Sequence, residues 1–322
     1  MQQAAAVGSR LLTNVTEAVH TRVVGQREAV EGLFVALLTG GHILLEGLPG
    51  LAKTLMVRTL AQAIHTDFRR IQFTPDLLPS DIVGTPVFDQ RSGQFRVQKG
   101  PIFSNIVLAD EINRAPPKVQ AALLEAMEER QVTIAGETYL LGSPFMVLAT
   151  QNPVELHGTY PLAEAQLDRF ALKLQIGYPT REEEKAIVRQ VGGGGQGPIQ
   201  AVATVEEVAA AREEVDAVHV EEKVLDYIVA LTYATREPTE VGLEELEDLI
   251  EFGTSPRATI FLSRAAKARA YLHGRDYVMP DDVKAMAPSV LCHRLRTTYE
   301  ADARGIDSAE IVRRVMSAVA AP

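Results

Sequence analysis

Gly47-Leu48-Pro49-Gly50-Leu51-Ala52-Lys53-Thr54 follows directly on the run His42-Ile43-Leu44-Leu45-Glu46. A strand that ends in a glycine-bearing loop, then Lys-Thr, then a helix is an arrangement that holds a nucleoside triphosphate. Backbone N–H groups of such a loop converge on one concavity, where phosphate oxygens meet them. In this reading Lys53 reaches the β- and γ-phosphates and the Thr54 hydroxyl ligates Mg²⁺. The usual pattern has Gly before the Lys, and Ala52 stands there instead. Ala52 fits if its φ is negative, as the first turn of a helix demands.

Working outward, strand and helix alternate. Leu11 to Arg22 and Arg27 to Leu38 show helical spacing of apolar residues, broken at Val23-Val24-Gly25-Gln26. Lys53 to Ile64 continues the loop as a helix. Arg70 to Phe73, Ile106 to Ala109, Phe145 to Thr150 and Ala171 to Ile176 read as strands, the second and third of the fully buried type that parallel sheets use. The rhythm predicts an α/β domain over residues 1–178, a largely parallel sheet flanked by helices. Two hairpins interrupt it, Val87 to Val97 around Gly93 and Val132 to Tyr139 around Ala135-Gly136. Beyond Tyr178-Pro179 only helical patterns follow, so residues 179–322 are expected to form an all-helical domain. The stretch from Gly192 to Pro198 should be a break within it.

Composition narrows the function. The 322 residues are 46 % apolar and 23 % charged, the balance of a globular protein with a sizeable core. A net charge of −10 argues against a dedicated nucleic-acid binder, whose affinity rests on Lys and Arg at phosphates. A single cysteine, Cys292, excludes an internal disulfide and reads as a small buried hydrophobe. No apolar run is long enough to span a bilayer, and Met1-Gln2-Gln3-Ala4 does not begin like a signal peptide. A cytoplasmic protein is expected.

The second chemical feature is the run Ile106-Val107-Leu108-Ala109-Asp110-Glu111, four apolar residues and then two acids. Ligands of open α/β sheets sit beyond the carboxyl ends of the strands. Asp110 is placed to hold Mg²⁺ through water, and Glu111 to orient or deprotonate an attacking water. Met146 to Thr150 is another buried strand, and Asn152 just beyond it can both donate to and accept from a γ-phosphate or water.

Taken in order, Gly-Leu-Pro-Gly-Leu-Ala-Lys-Thr, Leu-Ala-Asp-Glu-Ile-Asn-Arg-Ala, Ala-Thr-Gln-Asn-Pro, Glu-Ala-Gln-Leu-Asp-Arg-Phe and Gly253-Thr254-Ser255-Pro256-Arg257-Ala258 resemble the AAA+ ATPases, and the MoxR family in particular. The resemblance spans roughly residues 15 to 315. It implies a P-loop NTPase core followed by a small all-α lid, with ATP and Mg²⁺ as cofactors. Gly47, Pro49, Gly50, Leu51, Ala52, Lys53, Thr54 and Leu55 would hold the phosphates, Val24-Gly25 the adenine edge, and Thr54 and Asp110 the metal. Asn152 matches sensor 1 and Arg257 sensor 2. Arg169 matches the arginine finger, which reaches the nucleotide of a neighbouring subunit. The hairpins fall where this clade carries its helix-2 insert and presensor-1 hairpin. Arg114 matches no motif and reads as a surface ion pair.

The family resemblance implies a homo-oligomer, a hexameric ring, that remodels, matures or metal-loads a protein client, often with a von Willebrand A domain partner. A nucleic-acid motor is the alternative, with Arg91, Arg96 and Lys99 as its basic candidates against an acidic whole. A silent ATP-binding switch would not need Glu111, Asn152 and Arg169 together. A chelatase-type motor subunit shares the same inserts. Whether Arg257 serves its own subunit's nucleotide or a neighbour's stays open.

Overall fold

A computed structural model describes residues 2–152, 158–192 and 199–322. Pro153 of the Asn-Pro motif and most of the expected glycine-rich break, residues 193–198, lie outside the described residues. The chain divides into two compact units: Thr13–Ala163 with Leu174–Ala209, and Met1–Leu12 with Glu164–Lys173 and Ala210–Pro322.

Helix α1 (Gln2–His20), which enters the first unit at Thr13, ends before the break at Val24, and α2 (Arg27–Leu38) buries Val30, Leu33, Phe34 and Leu37. Then come β1 (Ile43–Gly47), α3 (Lys53–Ala63), β2 (Phe68–Gln72) and α4 (Pro79–Val83). The hairpin β3 (Gly84–Asp89) and β4 (Gln94–Lys99) precedes β5 (Ile106–Asp110) and α5 (Pro117–Glu129). A second hairpin, β6 (Gln131–Ile134) and β7 (Glu137–Leu140), leads into β8 (Met146–Gln151). Past α6 (Glu164–Leu167), which belongs to the other unit, β9 (Leu172–Ile176) completes a five-stranded sheet ordered β2-β5-β8-β1-β9, followed by α7 (Arg181–Gly192).

The pairs β2/β5, β5/β8 and β8/β1 are parallel. Their interior residues are apolar on both faces, because helices cover both. The chain leaves β1 for β2 on one side of the sheet and leaves β8 for β9 on the other. β1 and β8 are neighbours, so the crevice at their carboxyl ends is a topological switch point. His42 pins the opposite, amino-terminal end of these strands: Nδ1 accepts from Val147 N at 3.0 Å and Nε2 donates to Met127 O at 3.1 Å, which fixes the tautomer.

Both hairpins stand where the alternation predicts them. In the first, Phe88 pairs with Phe95, ring centroids 5.3 Å apart and edge to face, with both rings exposed. In the second, Ala135 and Gly136 both have positive φ, the backbone of a two-residue hairpin turn. Lys99 bridges the inserts, its ammonium lying 4.7 Å from the Phe103 ring centre and 5.4 Å from that of Tyr139.

The other unit is largely helical. It takes in the end of α8 (Val205–Asp216), then α9 (Glu222–Ala234), β10 (Ile250–Phe252), α10 (Pro256–Leu272) and α11 (Pro280–Leu291). β11 (Arg296–Thr297), α12 (Tyr299–Ala303) and α13 (Ser308–Ala318) close it. Two features go beyond the helical pattern read in the sequence. β10 and β11 form a two-stranded antiparallel sheet too short to show alternation. α13 opens on Asp307, whose carboxylate accepts from Glu310 N at 2.8 Å. Cys292 is half-buried and burial pushes its thiol up to about 11, as an inert side chain requires. Among the described residues no helix is long and apolar enough to cross a membrane.

Candidate active site

The loop after β1 is the first wall of the site. Gly47 is buried at the strand's end, and a Cβ there would lie 2.8 Å from Ile176 O. Pro49 and Gly50 are exposed, Leu51 half-buried, and Gly50 has φ 85°. Ala52 overturns its sequence-based expectation: its φ is +56°, left-handed, and it caps α3 instead of belonging to its first turn. The chain has to reverse in the space between Gly50 and Lys53, and Ala carries the smallest Cβ that can do so, at a cost of about 1 kcal/mol. Lys53, Thr54 and Leu55 then form the first turn of α3.

Lys53 Nζ donates to Gly47 O at 2.5 Å and approaches Leu48 O at 3.4 Å, so the ammonium lies under the loop. Burial pushes its pKa below the ordinary value, and the charges of Asp110 and Glu111 pull it back up. Those two carboxylates are therefore near enough to act on it.

Thr150 ties the second and third walls. Its hydroxyl donates to Asp110 Oδ1 at 2.6 Å and accepts from Glu111 N at 2.8 Å. Glu111 sits in the left-handed region at φ 58°, costly for a glutamate and common where a side chain is aimed for function. Gln72 Nε2 donates to Glu111 Oε2 at 2.9 Å, and Arg114 lies 3.3 Å from the same oxygen. The ion pair expected for Arg114 is present, and its partner is Glu111. Asn152 is buried just beyond β8. Val24 and Gly25 stand at the break between α1 and α2, where a Cβ on Gly25 would strike the Glu183 carboxylate.

Three contributors were not singled out in the sequence: Arg70, Gln72 and Thr150. Arg70 and Gln72 are two apart on β2, hence on one face, and Gln72 is in register with Asp110. Polar residues at alternate positions of a strand beside two acids were the available signal.

Thr54 and Asp110 offer hard oxygen donors, the kind Mg²⁺ takes, with phosphate and water supplying the rest. Among the described residues no group of three or more His, Cys, Asp or Glu side chains could hold a metal unaided. That donor set fits an ion that arrives with a nucleotide.

Arg169 and Arg257 belong to the other unit. Arg169 is half-buried between α6 and β9. Arg257 lies in the first turn of α10, where the Ser255 hydroxyl caps its N–H at 3.2 Å. Asp168 accepts from that same Ser255 hydroxyl, at 3.1 and 3.0 Å, and lies 4.0 Å from the Arg257 guanidinium. Asp168 also pairs with Arg294, whose Nε donates to Asp168 Oδ1 at 2.9 Å.

Residues 42–172 match the family described as "ATPase family associated with various cellular activities (AAA)", and residues 245–315 match the AAA lid domain. Over 305 residues the chain is 46 % identical to Chaperone MoxR1 of Mycobacterium tuberculosis, covering 93 % of this chain and 79 % of that protein. The chain belongs to the MoxR family of AAA+ ATPases. As such it binds nucleotide and is an ATPase. This MoxR-family protein is also 47 % identical over 313 residues to the uncharacterized protein YeaC of Bacillus subtilis, covering 97 % of this chain and 95 % of that one. A crystal structure of a Cytophaga hutchinsonii protein superposes on it with a TM-score of 0.94 at 47 % identity, over 99 % of this chain and 97 % of the other.

Proposed function

We propose that this MoxR-family ATPase performs Mg²⁺-dependent hydrolysis of ATP in a ring of identical chains, hexameric by family resemblance, and uses it to remodel a protein client. The observation that carries the reading is the junction of Thr150, Asp110 and Glu111, which sets two carboxylates at the strand ends beside Lys53.

In this mechanism the loop N–H groups and Lys53 hold the β- and γ-phosphates, and Val24-Gly25 holds the adenine edge. Thr54 and Asp110 hold Mg²⁺, which supplies charge neutralisation at the phosphates when bound. Glu111 orients water and takes its proton, and Asn152 positions water or γ-phosphate. Arg169 of a neighbouring subunit completes the charge on the transferring phosphoryl group, a contribution worth about 10³ to 10⁵ in related NTPases. Arg257 answers the γ-phosphate from the lid.

A protein client is supported by the chaperone name of the Mycobacterium tuberculosis relative and by the exposed Phe88–Phe95 pair on the first insert. A partner carrying a von Willebrand A domain would present it. Glu111→Gln tests the reading: ATP should still bind while turnover falls at least about 100-fold. Turnover equal to that of the parent chain would overturn it.

A further inference from the structure

We propose that Arg294 is a positioning residue for Arg169, a brace that fixes the direction in which the arginine is presented. This rests on the reading of Arg169 given above.

The guanidinium has five N–H donors, and all five are used. Nε donates to Asp168 Oδ1 at 2.9 Å. Nη2 donates to Asp168 O at 3.1 Å and, more closely, to Phe170 O. Nη1 donates to Ala171 O at 3.2 Å and to Val290 O at 2.5 Å. Three of the four carbonyls belong to residues 168, 170 and 171, so the acceptors bracket Arg169 from both sides. His293 adds a bond from Nε2 to Phe170 O at 2.9 Å. The Phe261 ring lies against the guanidinium with its centre 4.8 Å away, and only 1 % of the Arg294 side chain is exposed.

A buried ion pair is weak ground for stability, because desolvating both charges cancels most of their attraction. What a planar fork does supply is geometry. It holds several acceptors in one fixed arrangement, as a lysine's point charge does not. The short segment between α6 and β9 has no regular structure to orient Arg169. The bonds from His293 and Arg294, just after α11, supply that orientation. Asp168 extends the brace to the Ser255 cap of α10, and so to Arg257.

The test compares Arg294→Lys with Arg169→Ala in the full chain, measuring steady-state ATPase, ATP affinity with a fluorescent analogue, and melting temperature. Arg294→Lys should lower kcat by about 10- to 100-fold, as misplacement of a catalytic group does, with ATP affinity changed by less than about twofold. The double variant should be no slower than Arg169→Ala alone, since both remove one contribution. Mixing Arg294→Lys with Lys53→Ala chains should restore part of the turnover, because the second variant supplies a braced arginine.

If Arg294→Lys melts early, Asp168→Ala takes its place: it removes the carboxylate, leaves the carbonyl acceptors, and should show the same loss and the same rescue. Wild-type turnover in Arg169→Ala overturns the finger reading and the brace with it. Silent Arg169→Ala beside active Arg294→Lys, or beside active Asp168→Ala where that variant stands in, overturns the brace alone. So does a mixture that rescues Arg169→Ala but neither of the other two.

Discussion

Arg70 on β2 reaches across to Asp110 on β5, setting Nε at 2.9 Å and Nη2 at 2.6 Å from the same carboxylate oxygen. Thr150 holds the other oxygen. The acid proposed to serve Mg²⁺ thus carries a permanent cation beside it. A neighbouring positive charge lowers the affinity of a carboxylate for a second cation. Arg70 is about half exposed, so solvent screens the effect to about 1 kcal/mol or less. Arg70→Met should therefore move the Mg²⁺ midpoint of ATPase activity about two- to fivefold lower. Magnesium titration at saturating ATP checks this. An unchanged or higher midpoint would show that Arg70 orients Asp110 more than it competes.

Ala52 is the second test, because its backbone is left-handed where its side chain would rather not be. Replacing it by Gly relieves about 1 kcal/mol of local strain and gives back somewhat less through the freer unfolded chain. Ala52→Gly should be neutral to slightly stabilising in urea unfolding, with ATP affinity retained. Ala52→Val, β-branched in the same conformation, should destabilise by about 2 kcal/mol or more and weaken ATP binding. Equal stability of the two variants would place the strain elsewhere.

Gly47 is fixed by space. The nearest atoms to a Cβ there are Ile176 O at 2.8 Å and Ile176 Cβ at 3.1 Å, part of the adjoining β9 and unable to swing aside. Gly47→Ala should spread β1 from β9 and cost about 1–3 kcal/mol of stability, the usual range for overpacking. It should also weaken ATP binding, since Lys53 is bonded to the Gly47 carbonyl. Chemical denaturation with and without ATP separates the two effects.

Much of this architecture is legible in the sequence, for identifiable reasons. α10, from Pro256 to Leu272, is among the helical patterns expected beyond Pro179, because Ser255 and Pro256 mark its start. The buried strands β5 and β8 read correctly because four or more apolar residues in a row, bounded by polar ones, suit few other places. β10 and β11 were not legible, since three residues facing two carry no period. The conformation of Ala52 was missed because the residue type argues for a helix while closure of the loop argues against it. Arg294 is harder still. Its five acceptors include four main-chain carbonyls, and no side-chain pattern records where a carbonyl points.

His293 gives the pH dependence. Burial, and then the adjacent Arg294 charge, hold its pKa well below the ordinary histidine value, against a smaller opposing pull from the Phe170 carbonyl. Nε2 is bonded to that carbonyl, and Nδ1 is buried with no hydrogen-bond partner among the described residues. A proton on Nδ1 would therefore have no acceptor. In the unfolded chain the ring titrates near 6.5. Below that pH the unfolded state binds a proton that the folded state refuses, so stability falls as pH falls. The loss approaches about 1.4 kcal/mol per pH unit below 6.5 until the folded ring itself titrates, and is absent above about pH 7.5. His293→Gln can keep an N–H toward Phe170 O without this titration. Its stability between pH 7.5 and 5 should decline less steeply than that of the parent chain. Parallel urea-unfolding curves for the two chains across that range would show that the ring protonates in place.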